Sequence, residues 1–116
     1  GALGCGARYL VSLWAAARIG SGFPWGTLIV NIVGSFAIAL VLELSIRLVD
    51  FSPNLRLALT TGFLGGLTTY SSFNYETTSL LLDGHAIRGL ANIGATLLGC
   101  LGAGLLGLAI ARKLTG

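Results

Sequence analysis

The residues that could do chemistry fall into short strips at helical spacing. Thr27 and Asn31 lie one turn apart and so share a helix face, with Asn31 set among Ile29, Val30, Ile32 and Val33. A carboxamide in so apolar a setting needs partners, because leaving it unpartnered costs about 1–3 kcal/mol. It reads as an interhelical hydrogen bond that fixes packing or as a donor to an anion. Tyr70 and Phe73 share another face, interleaved with Thr69, Ser71 and Ser72. Aromatic pairs usually pack a core, but hydroxyls on both sides are not what a lipid-facing surface selects. A ring has a positive edge and a negative face, so its edge can contact a small anion without a full charge. Asn92, Thr96 and Cys100 follow one another at one-turn intervals, and Gly104 continues the strip; hydroxyls in such a strip can also bond back to their own helix. Arg8 is a cation inside the first apolar run, either a snorkelling anchor or a functional charge. Glu76 closes the polar stretch that begins at Thr61. No nucleophile stands beside a base, and there is no metal-ligand spacing or phosphate loop, so no enzyme activity is expected.

These residues are carried by a very apolar chain. Of 116 residues 54% are hydrophobic and only 9% charged, with a mean hydropathy of +0.88. A soluble domain usually carries about 25% charged residues, so a membrane protein in a lipid bilayer is expected, multi-pass in a plasma or inner membrane. The net charge of +3 comes from basic residues scattered singly between apolar runs. That is the pattern of juxtamembrane anchors and not of a nucleic-acid surface. Cys5 and Cys100 are far apart in apolar runs and read as small hydrophobes rather than as a disulfide or metal pair. The chain contains no methionine, which suggests residues ahead of Gly1, and its opening lacks the basic region of a secretory signal.

A bilayer crossing needs about 20 mainly apolar residues. Four segments meet this, at about 2–19, 26–48, 55–82 and 86–111, and form one domain over 1–116. Gly20-Ser21-Gly22-Phe23-Pro24, Asp50 to Asn54 and Asp83-Gly84-His85 punctuate them, as turn residues do. The third segment carries Gly65-Gly66 followed by Thr68 and Thr69. Each glycine costs a helix roughly 1 kcal/mol, so a break is expected near 65–68. Broken backbone at membrane depth survives only under protein or beside water, which marks a close crossing of two chains or an ion site. Small residues along the second and fourth segments allow close helix approach. Four thin helices enclose no pore alone, so a homodimer is expected. Arg47, Arg56, Arg112 and Lys113 fall on one side against Arg18 and Arg88 on the other, a mild bias towards an internal N-terminus.

The chain resembles the Fluc (CrcB) fluoride-channel family. The resemblance rests on Gly6-Ala7-Arg8, on Gly26-Thr27-Leu28-Ile29-Val30-Asn31-Ile32-Val33-Gly34-Ser35, and on Thr61 through Glu76. It implies an all-α membrane protein of four transmembrane helices, the third broken at its centre, assembled as an inverted, dual-topology homodimer. It further implies two fluoride pathways along the subunit interface, passive export of cytoplasmic fluoride and hence fluoride resistance. Arg8, Thr27, Asn31, Tyr70, Ser72, Phe73, Glu76, Asn92, Thr96 and Cys100 would line the pathway, with Asn31 donating to fluoride. The backbone carbonyls of Gly65 and Thr68 would hold a structural Na+ at the dimer centre. The chain departs from the family pattern at Tyr70, where phenylalanine is usual, at Ser72, where threonine is commoner, and at Asn92 and Cys100 in the polar strip of the last helix.

Two rival transport readings stand beside this one. A small multidrug-type exporter needs a carboxylate within its first helix, and the stretch from Tyr9 to Ala17 has none. A proton-coupled fluoride transporter needs a buried titrating group, for which Glu76 is the candidate. A purely structural subunit would explain the glycines but not Thr27, Asn31 and the aromatic–hydroxyl stretch.

Overall fold

Apolar runs set off by Gly and Pro turns give helices, and in a computed structural model every regular element among the described residues, 1–48 and 50–116, is helical. Helix α1 spans Ala2–Arg18 and α2 spans Trp25–Arg47. Gly20, at φ 119°, makes the turn between them in a left-handed conformation that glycine adopts without steric cost. Pro24 precedes α2 as its N-cap residue. A short helix α3, Pro53–Leu57, starts at Ser52, whose side chain accepts from the Leu55 amide. It passes into a π-helical stretch, Ala58–Leu64, and then into one turn of α4, Gly65–Leu67. Helix α5 runs over Tyr70–Leu82. After the Gly84 turn, at φ 83°, α6 runs over Ala86–Thr115. It continues past the expected end at Ala111. Arg112 and Lys113 fall in its last turn, where cations favour the helix C-terminus instead of ending it.

Helices α2 and α6 run side by side in the same direction, with Gly99 against Ile32 and Gly107 against Phe36 and Leu40. At one end Glu43 accepts from Arg47 Nε at 2.9 Å and from Arg112 Nε at 3.3 Å, joining the two helices. The small core holds Val30, Leu64 and Leu67, packed against Ala7, Val11, Ala37 and Ile38. Helices α2 and α6 are long and apolar enough to cross a membrane, yet only 17% and 6% of their apolar windows are buried within the chain. Their remaining surface needs an apolar surrounding. On α6 alone Ile87, Leu98 and Leu105 are each more than two-thirds exposed. These helices belong in a bilayer.

The third segment is interrupted at the end of the stretch where a break is expected, 65–68, although the glycines themselves remain helical. Gly65 and Gly66 are helical; the chain leaves the helix at Thr68 (φ −81°, ψ 153°) and Thr69 (φ −154°, ψ 125°). Gly66 serves a close crossing with α1. A Cβ on Gly66 would stand 2.5 Å from the Gly1 carbonyl and 3.1 Å from the Cys5 amide, and Gly4 faces the Phe63 carbonyl and the Leu67 amide in the same way. Backbone cannot swing aside as a side chain can, and overpacking costs about 1–3 kcal/mol. Gly66→Ala is therefore expected to lower stability by about that amount, read as an earlier thermal unfolding transition in detergent.

Candidate functional site

The break is shaped by side chains. The N–H of Thr69, which would continue the helix by donating to Gly65, donates instead to Asn31 Oδ1 at 2.8 Å. The Asn31 amide returns a bond from Nδ2 to the Thr69 carbonyl at 3.0 Å. One carboxamide thus takes both backbone groups of one extended residue, as a neighbouring strand would. Asn31 is reached because Gly34, one turn along α2, has no side chain where the Thr68 methyl packs. Thr69 then starts α5. Its hydroxyl accepts from the Ser72 amide at 3.2 Å, the usual N-cap geometry. It also lies 3.2 Å from Ser71 Oγ and donates to Ser72 Oγ at 3.3 Å.

Beside the break is an open groove of about 580 Å³, lined by the polar residues Asn31, Ser35, Thr68, Thr69 and Thr96 and by Tyr70, Phe73, Ile93 and Cys100. Six residues singled out in the sequence therefore line one groove: Asn31, Thr68, Tyr70, Phe73, Thr96 and Cys100. The Tyr70 and Phe73 rings are 5.7 Å apart, centre to centre, and tilted by 49°. Asn31 is 8% exposed and Tyr70 77%, so the wall runs from a buried floor to an open rim. The second N–H of Asn31 makes no hydrogen bond among the described residues.

The other candidates lie around this groove. Arg8 donates from Nη1 to Ser72 Oγ at 3.3 Å, which ties α1 to the first turn of α5. Thr27 donates to Glu76 Oε1 at 2.7 Å, and the pair borders a separate cavity of about 200 Å³ with Ser12, Ser21 and Trp25. Asn92 does not line the groove. It is 1% exposed and gives Nδ2 to Thr77 Oγ1 at 2.8 Å, while its Oδ1 accepts from Thr96 Oγ1 at 3.4 Å. Two residues were missed from the sequence, Thr69 and Thr77. Thr69 was legible as a cap, a threonine three residues before Ser72 at a helix start. Thr77 had no local signal, since its partner Asn92 lies in the next helix.

The fit of a hard cation can be tested on the backbone. In an unbroken helix the carbonyls of Gly65 and Thr68 would accept from the amides of Thr69 and Ser72. Those two amides go to Asn31 Oδ1 and to Thr69 Oγ1 instead. Both carbonyls are thereby released from their helical donors. Oxygen ligands of this kind suit a hard cation, and no cluster of three or more His, Cys, Asp or Glu side chains competes for that role among the described residues.

Comparison with known proteins gives one consistent result. The family described as "CrcB-like protein, Camphor Resistance (CrcB)" matches residues 1–108. A protein of Geobacter metallireducens named "Fluoride-specific ion channel FluC" is 53% identical over 114 residues, covering 98% of this chain and 92% of the relative. Relatives of the same name in Geotalea uraniireducens and Sorangium cellulosum are 49% and 50% identical, each covering 98% of this chain and 92% and 90% of their own lengths.

Proposed function

The chain belongs to the CrcB-like family, and from that premise we propose that it is a fluoride-selective channel that lets cytoplasmic fluoride leave passively and so confers fluoride resistance. The observation that carries this reading is the convergence of Asn31, Thr69, Thr96, Tyr70 and Phe73 on one groove in a chain whose long helices are otherwise apolar. Fluoride is small and holds its water tightly, so a pathway must supply replacement donors, and conduction needs several weak sites in series. The free N–H of Asn31, the hydroxyls of Thr69 and Thr96 and the aromatic rings form such a series. None carries a full charge that would trap the ion. Arg8, bonded to Ser72, attracts the anion towards the break, and Thr27 with Glu76 offers a further polar step beyond it.

The groove is open along one side. A second, inverted copy of the chain closes it, and the inverted pair forms two such pathways in the membrane. At the centre of that pair the Gly65 and Thr68 carbonyls of both copies hold Na+, which supplies a fixed positive potential near the path. Four transmembrane passes per chain follow, with the α3-to-α5 segment crossing as one interrupted span. No chemical energy source is required.

Fluoride efflux from liposomes holding the purified protein tests the reading, with chloride as comparison. Fluoride-selective efflux that builds a membrane potential without a proton gradient is expected. Efflux strictly tied to protons would favour a coupled transporter, and no efflux from folded protein would overturn the proposal. Tyr70→Phe is expected to keep or raise that efflux, because the Tyr70 ring is at the open rim and a ring without a hydroxyl preserves the edge. Complete loss of efflux in Tyr70→Phe would show that the phenol is essential.

A further inference from the structure

A buried polar pair sits beside the groove without lining it. Thr77 on α5 is 4% exposed and Asn92 on α6 is 1% exposed. Asn92 Nδ2 donates to Thr77 Oγ1 at 2.8 Å, and Thr96 Oγ1, on the groove side, donates to Asn92 Oδ1 at 3.4 Å. The helices approach closely enough for this because Gly89 stands over Leu81 and the Thr77 carbonyl; a Cβ there would meet Leu81 at 2.8 Å.

We infer that Thr77 is a positioning residue of the pathway, acting through Asn92 to decide whether Thr96 offers fluoride a proton or a lone pair. The inference rests on the channel reading above. The two ends of a carboxamide have nearly the same shape, so its orientation is set by its hydrogen bonds. With Thr77 accepting from Nδ2, the Oδ1 end faces Thr96. The Thr96 proton is then parked on Asn92 through a long bond, and a long bond is weak. An arriving anion draws that proton into the groove, and on departure Asn92 takes it back. The site binds only as tightly as this exchange allows, which suits an ion that must leave again.

Without the Thr77 hydroxyl, Nδ2 has no acceptor on that side. Buried orphan donors are tolerated less than under-satisfied carbonyls, so the amide turns and donates to Thr96 Oγ1. The Thr96 proton is then fixed towards the groove as a permanent donor. Fluoride binds more tightly and leaves more slowly.

The experiment is the initial rate of fluoride efflux against fluoride concentration, in liposomes, for wild type, Thr77→Val, Thr77→Ser and Thr77→Val combined with Thr96→Val. In Thr77→Val the maximal rate and the half-saturating concentration are both expected to fall, each by about 3–10-fold, the value of one such hydrogen bond. Thr77→Ser restores both, and Thr77→Val adds nothing once Thr96 is valine. A fall in maximal rate with half-saturation unchanged or raised, or equal behaviour of the Ser and Val variants, overturns the inference and leaves the channel reading standing. Absence of fluoride efflux in wild type overturns both. Should Thr77→Val fail to fold, the side-chain carboxamide signals of Asn92 in wild type decide by NMR. They are expected to shift on fluoride addition, and signals that ignore saturating fluoride overturn the inference.

Discussion

Asn31→Ala is expected to abolish fluoride efflux and to destabilise the fold together. Asn31 takes the N–H and the C=O of Thr69 at 2.8 and 3.0 Å. Removing it orphans both backbone groups of Thr69 at the floor of the groove, where Asn31 itself is only 8% exposed. Each such group costs about 1–3 kcal/mol. The chain has one local remedy, which is to turn the Thr69 N–H back to the Gly65 carbonyl and extend α4. That remedy closes the break, takes up a carbonyl proposed for the cation and removes the groove's deepest donor. A loss of about 3 kcal/mol in the pathway alone corresponds to roughly a hundredfold in rate. The measurements are liposome efflux and thermal unfolding in detergent on the same preparation. Normal efflux in Asn31→Ala would remove Asn31 from the pathway. Normal unfolding with lost efflux would leave it as an ion contact but not as the clip that holds the break.

How far the site could be read from the sequence follows from whether its parts are local. The pairing of Tyr70 with Phe73 is set by helical spacing alone, and the rings do meet, 5.7 Å apart. Asn31 in an apolar run announced a need for partners, and the need was legible although the partner was not, because Thr69 is 38 residues away. The glycine pair was read through its propensity, which makes Gly65-Gly66 the weak point of a helix. Tertiary packing places the break at the far end of the 65–68 stretch. Gly66 stays helical where α1 passes close to the place of its missing Cβ, and the break falls on two β-branched residues, Thr68 and Thr69, the second of which a distant carboxamide captures. One-turn spacing groups Asn92 with Thr96 and Cys100 in one polar strip. A 3.6-residue period drifts along a long helix, and the close approach of α5 at Gly89 covers the first member while leaving the later two on the wall.

Phe73→Ala is expected to abolish efflux with little loss of stability, the opposite balance to Asn31. Phe73 is only partly buried and lines the groove. Its truncation leaves open space and not a sealed cavity, so the penalty should lie well below the 3–5 kcal/mol of a fully buried phenylalanine. What is lost is the ring. Its edge carries the partial positive charge that can replace part of the water around an anion, and its bulk keeps the groove narrow. Phe73→Ile separates the two, because it keeps much of the bulk and has no aromatic edge. If the edge conducts, Phe73→Ile should be as inactive as Phe73→Ala, while both unfold close to the wild-type temperature. If bulk alone matters, Phe73→Ile should conduct fluoride normally and Phe73→Ala should leak chloride as well. Efflux of both ions from liposomes holding each variant distinguishes these outcomes, and fluoride-selective efflux in Phe73→Ile would remove the aromatic edge from the pathway.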